Sequence, residues 1–167
     1  MAPSSTRTRA ALLVVLTLYI AIVFIQSLFF KFTDSPETQH IFGLLNAWAA
    51  SWGPAGLFAP SGIFSQYVVG SAELLASLLL LAGLLPGLRL LQVAGALLSL
   101  GVISGAIFFH LFTPLGVQVR NADGSLDGGE LFALACGVWL ASALILWMRR
   151  REWAQYLPPA LHRRAIP

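Results

Sequence analysis

A chain of 167 residues that is 57% hydrophobic and only 10% charged lacks the polar surface of a soluble domain, which usually has about 25% charged residues. Its net charge of +3 does not point to nucleic acid, because the basic residues stand in short clusters at the ends of apolar runs. The single cysteine, Cys136, excludes an intrachain disulfide and a CxxC redox pair.

Arg7 and Arg9 precede the first apolar run, as in a signal peptide. That run, residues 10–30, is too long for a signal-peptide core, and no A-x-A cleavage site follows it, so an uncleaved first membrane span is expected. Arg9 and Lys31 bracket it at a separation of about 33 Å, one bilayer. Residues 34–37, Asp-Ser-Pro-Glu, read as a helix start, with a capping residue followed by proline at the first helical position. Ile41, Leu44, Leu45, Trp48 and Trp52 then recur at helical spacing, with Gln39, Gly43, Asn46 and Ala50 opposite. This predicts a short amphipathic helix in the outer interface, ended by Gly53-Pro54, with Pro60-Ser61-Gly62 turning the chain onward.

Residues 66–86 form the second expected span, and it carries Glu73 about 12 Å below its start by the helical rise. A charge at mid-membrane depth is unfavourable by roughly 2.5–3.5 kcal/mol on insertion scales, so it normally faces protein and has a partner. Gln66, Gly70, Glu73 and Ser77 fall on one helical face, which turns apolar at Leu80 and Leu84. Residues 90–112, from Arg89 to beyond His110, form the third span, and residues 131–148, from Glu130 to Arg149-Arg150-Arg151, the fourth. Gly95/Ser99 and Gly101/Gly105 are spaced for close helix approach. The segment between the last two spans fails the EF-hand pattern, since Leu126 and Phe132 stand where glycine and glutamate are required. Asp127 is expected to cap the fourth span, with Glu130 completing a capping-box-like pair.

Regular weaving puts Arg7, Arg9, Arg89, Arg149, Arg150, Arg151, Arg163 and Arg164 on one side, and Asp34, Glu37, Asp123, Asp127 and Glu130 on the other. The positive-inside rule then makes both termini cytoplasmic, with Trp147, Trp153 and Tyr156 in an inner aromatic belt. The expected fold is all-α: an integral membrane, antiparallel four-helix bundle over residues 10–148, flanked by a cytoplasmic tail at 1–9 and a basic one at 149–167. Glu73, Lys31, His110, Gln26, Gln66 and Glu130 all fall in the outer half, which predicts an outward-facing polar pocket with Glu73 at its floor and an almost purely apolar inner half. Lys31, Gln26 and His110 are the partners at matching depth. Each also has a plainer reading: a snorkelling lysine, a helix-bridging glutamine, an interfacial histidine. A metal site of His110, Glu73 and Glu130 is conceivable in outline, but spacing does not establish it, and no metal is assigned. No phosphate loop, hydrolase elbow or HExxH motif is present.

The stretches FIQSLFFKFTDSPETQHIF, QYVVGSAELLASLLLLAG, GAIFFHLF and DGGELFALA give the chain, from about residue 10 to 148, a resemblance to the DoxX-like family of small bacterial membrane proteins. Its landmarks are a lysine closing the first span (Lys31), an acid in the second (Glu73) and a histidine closing the third (His110). The resemblance implies a four-helix bundle in the bacterial inner membrane and an association with thiosulfate- and quinone-linked oxidation. Other members look like accessory or assembly factors. Three functions are therefore expected: a non-enzymatic accessory or assembly factor with other membrane proteins or further copies of itself as partners, favoured; a quinone- or thiosulfate-linked redox component; and a small-solute or lipid-handling protein. No cofactor is assigned, quinone being the one that the second reading would bring.

Overall fold

The computed structural model describes residues 3–121 and 123–154, with side chains from residue 7. Tyr156, Arg163 and Arg164, assigned above to the cytoplasmic side, lie outside the described residues. The elements are α1 (Pro3–Phe32), α2 (Pro36–Ser51), α3 (Gln66–Ala82), α4 (Arg89–Phe112), α5 (Glu130–Met148) and α6 (Arg150–Ala154). Among the described residues there is no strand, only an isolated bridge between Arg120 and Leu126. Three helical segments, Arg7–Phe32, Arg89–Phe112 and Glu130–Met148, are long and apolar enough to cross a membrane, and α3 is a shorter apolar helix.

Helix α1 packs along α3 and α5, and α4 packs along the same two, so α1 and α4 face each other across a diagonal. Ile20, Phe24, Leu80, Ala96, Val138 and Ile145 fill the shared core. Leucines and valines such as Val15, Leu78, Leu97 and Leu140 cover the outside, where an aqueous protein would place charges. Gly95 sets the closest approach: a Cβ there would stand 2.7 Å from the Leu80 amide nitrogen and 2.9 Å from the Ala76 carbonyl oxygen. Ser99 binds Ser142 of α5 at 2.8 Å. The second small pair behaves differently from expectation: nothing lies near Gly101, and Gly105 meets only Phe109 of its own helix.

Helix α3 stops four residues short of the predicted Pro86. The Gly83 backbone lies against the backbone of Gln92, leaving no room for a side chain. Leu84 and Leu85 then bond three residues back, to Leu81 and Ala82, which tightens the turn into α4.

Helix α2 begins as expected. Ser35 accepts from the Thr38 amide at 3.2 Å, and Pro36 occupies the first helical position. Its apolar face, however, meets protein. Leu45 and Ala49 join Phe58, Leu115 and Val119 in a second core, flanked by Ile41, Leu44 and Trp48. Asn46, on the face read as polar, accepts from the Phe58 amide at 3.3 Å. Trp52 falls outside the buried stripe and is 77% exposed, because it is the C-cap residue and not part of the last turn.

Candidate functional site: a buried lysine–glutamate pair at the α1–α3 junction

The polar face of α3 is buried as its periodicity requires: Gln66, Gly70, Glu73 and Ser77 all turn inward, followed by Leu80. The absence of a side chain at Gly70 lets the Phe32 ring and Leu28 of α1 close over this face. One turn deeper, the Lys31 ammonium stands 3.1 Å from Glu73 Oε1 in a hydrogen bond, and 3.0 Å from Oε2 in an ionic contact alone. The two side chains are 14% and 7% exposed, so the pair is largely removed from solvent. Lys31 also donates to Ser27, one turn back on α1. Ser77 donates to the Glu73 carbonyl at 2.8 Å.

Gln66 organises the mouth of this junction. Its amide nitrogen donates to the Lys31 carbonyl at 2.8 Å, which satisfies an acceptor orphaned at the end of α1, and also to Asp34. Its carbonyl accepts from Gln39 of α2 at 3.0 Å, so one side chain ties three helices. Asp34 reaches this position because its backbone is left-handed (φ 54°), a conformation that aspartate tolerates better than most residues. Its carboxylate accepts from the Tyr67 hydroxyl at 2.7 Å.

The structure brings together three of the six side chains expected in one pocket: Lys31, Glu73 and Gln66. Gln26 is exposed on α1. Five residues correspond to about 140° around a helix, whereas Ser27, four residues from Lys31, is only about 40° away. Depth alone therefore gave Lys31 correctly and Gln26 wrongly. His110 is buried, but its Nδ1 pairs with the Gly116 carbonyl at 2.7 Å and its ring meets Phe132 at 5.6 Å. It sits on α4, diagonal to α1, and organises the loop before α5. Glu130 is exposed at the start of α5. Glu73, His110 and Glu130 thus do not converge, and among the described residues no three His, Cys, Asp or Glu side chains gather as metal ligands. Asp34, Gln39, Tyr67 and Ser27 were missed, although Asp34 and Gln39 flank the correctly read helix start.

Two clefts lie away from this junction. The Lys31 ammonium occupies the position beside the Glu73 carboxylate. A cleft of about 510 Å³ lies at the opposite end, between α1 and α5, and one of about 230 Å³ lies between His40 and the loop around Gln118. Glu73 lines neither.

The half expected to be almost purely apolar contains a second polar chain. Gln92, fully buried, donates to Thr17 of α1 at 2.8 Å and accepts from Arg149 Nε at 2.7 Å. Arg149 continues to Glu152 at 3.2 Å. A glutamine in the run LLQVAGALL was the available signal, since an amide buried in such a helix requires partners.

Asp127 serves the α5 terminus from two residues before the positional N-cap, Gly129. It accepts from the amides of Val119 (2.8 Å), Gly129 (2.9 Å) and Leu131 (3.1 Å), and so fixes the preceding loop as well. Glu130 provides no side-chain cap, which corrects the expected capping box. Burial pushes the Asp127 carboxyl up, but these amides, aided by His110, hold it below its ordinary value. A depressed carboxylate contributes stability that is complete above about pH 3.9 and is lost as pH falls through the lower folded value. Asp127→Ala should destabilise the protein by about 1–2 kcal/mol at neutral pH. It should also flatten the acid limb of the stability–pH curve, measured by thermal denaturation in detergent. Wild-type and variant curves that stay parallel at low pH would contradict this role.

Comparison of the chain with known protein families, curated proteins and solved structures found no match.

Proposed function

We propose that this chain is a DoxX-like protein of the bacterial inner membrane and that it acts as a non-enzymatic accessory or assembly factor. In this reading α1, α3, α4 and α5 form an antiparallel transmembrane bundle, and α2 lies at the outer interface. Both termini are cytoplasmic. The apolar exterior, and the gathering of Arg9, Arg89 and Arg149–Arg151 opposite Asp34, Asp123, Asp127 and Glu130, support the placement and its orientation.

The observation that carries the functional reading is that the chain's own Lys31 engages the one acid set deep in α3. A carboxylate held this way joins two helices and presents a finished surface to a partner. The redox reading stands second, because Glu73 would first have to release Lys31 to act as a proton donor, and Lys31 to release Glu73 to hold an anion.

Purification of the full chain in a mild detergent, followed by size-exclusion chromatography with light scattering, should yield a complex with another membrane protein or a defined homo-oligomer. A monodisperse monomer retaining a bound small molecule would overturn the accessory role. Quinol turnover that depends on the protein and falls in Glu73→Gln would transfer the assignment to redox chemistry.

A further inference from the structure

The cleft at the basic end lies between the first turns of α1 and the last turns of α5, and Arg150 of α6 completes it. Its volume of about 510 Å³ is in the range of small-molecule sites. Arg9 crosses it to donate to the carbonyl of Met148, the last residue of α5. Arg150 lies over the Trp147 indole, 4.9 Å from the ring centroid, and donates to the Trp147 carbonyl at 3.1 Å. Both guanidinium groups are thus fixed at a helix C-terminus, and each carbonyl contact takes only one of five N–H donors.

Neighbouring charges do not serve the same purpose. Arg149 turns inward to Gln92 and Glu152. The two ion pairs found among the described residues, Lys31–Glu73 and Arg149–Glu152, involve neither Arg9 nor Arg150. Apart from Thr8, the remaining wall is apolar: Leu12, Leu144 and Met148, with the exposed body of Trp147.

A basic rim above an apolar wall matches an anion that carries a hydrocarbon chain. We infer that this cleft binds the phosphodiester headgroup of an anionic phospholipid, with Arg9 and Arg150 on the phosphate and an acyl chain along Leu12 and Leu144. The inference rests on the membrane placement proposed above and is independent of the accessory role. A soluble phosphate would satisfy the arginines but leave the apolar wall unused.

The test uses the full chain in a neutral detergent, titrated with phosphatidylglycerol, phosphatidylcholine and inorganic phosphate, with binding read by native mass spectrometry. Phosphatidylglycerol should bind at least about tenfold more tightly than phosphatidylcholine. Each arginine at an anionic lipid surface is worth roughly fivefold. Arg150→Gln, which leaves the Arg9–Met148 contact intact, should therefore lose about fivefold, and Arg9→Gln with Arg150→Gln about 30-fold. Arg120→Gln, at the opposite end, should bind like wild type. A far-UV circular dichroism spectrum for each variant confirms its helices, and Arg150→Gln alone decides the matter if the double variant unfolds.

Equal affinity for the two lipids, or an equal loss in Arg120→Gln, would overturn the proposal. Displacement of phosphatidylglycerol by millimolar phosphate would assign the cleft to a soluble anion instead. Release of wild-type protein from membranes by alkaline carbonate without detergent would refute the membrane placement, whatever the lipid selectivity.

Discussion

Glu73→Ala and Lys31→Met, made singly, should each destabilise the protein by about 3–5 kcal/mol, while Lys31→Met combined with Glu73→Leu should recover most of that loss. Removing one partner leaves the other charge at a position almost closed to solvent, with Ser27 as the remaining side chain described at Lys31. Replacing both with apolar side chains of similar volume removes the desolvation penalty with the attraction, and buried ion pairs replaced this way often prove neutral or better. Unfolding in detergent, followed by circular dichroism, gives the double-mutant cycle directly. Single losses below about 1 kcal/mol would show a pair with little mutual dependence, of the strength expected at a surface. If the proposed complex or homo-oligomer forms, a double variant that regains stability but no longer forms it would make the pair part of that contact rather than only of the fold.

Gly95→Leu should destabilise the α3–α4 packing by about 3 kcal/mol, and Gly101→Leu should change stability by less than about 0.5 kcal/mol. The two glycines lie six residues apart on the same helix, so intrinsic helical preference does not separate them. Their surroundings do. A Cβ at position 95 meets the Leu80 amide nitrogen and the Ala76 carbonyl oxygen, backbone atoms that move only if the helices part, whereas one at position 101 meets nothing within 4 Å. Thermal denaturation midpoints of the two variants in one detergent decide the matter, and equal shifts would mean that Gly95 does not set the helix separation.

Legibility differed by the kind of information each feature needs. Apolar run length located all the long helices, because that signal is one-dimensional. Period counting found the buried face of α3, and Ser35-Pro36 gave the start of α2, because both depend on neighbours within a turn or two. The partner of Glu73 required comparing two helices, and depth gave Lys31 correctly among others. Only rotational phase rejects Gln26 in favour of Ser27, and only the diagonal placement of α4 separates His110 from the pair. The Thr17–Gln92–Arg149 chain was illegible for the same reason, since it joins three helices whose order around the core no single segment states. The early end of α3 was hidden as well, because the backbone of Gln92 imposes it.

In the membrane placement proposed above, the positions of these bonded groups along the sequence also order its synthesis. Lys31 leaves the ribosome before Glu73, so the acid can enter with its counterion already waiting in an earlier helix. Gln92 and Thr17 likewise precede Arg149, which meets an acceptor that is already installed. In that placement Glu73 is the group inserted second, with its counterion already present, whereas Arg149 stays at the end of its helix and meets Gln92 there.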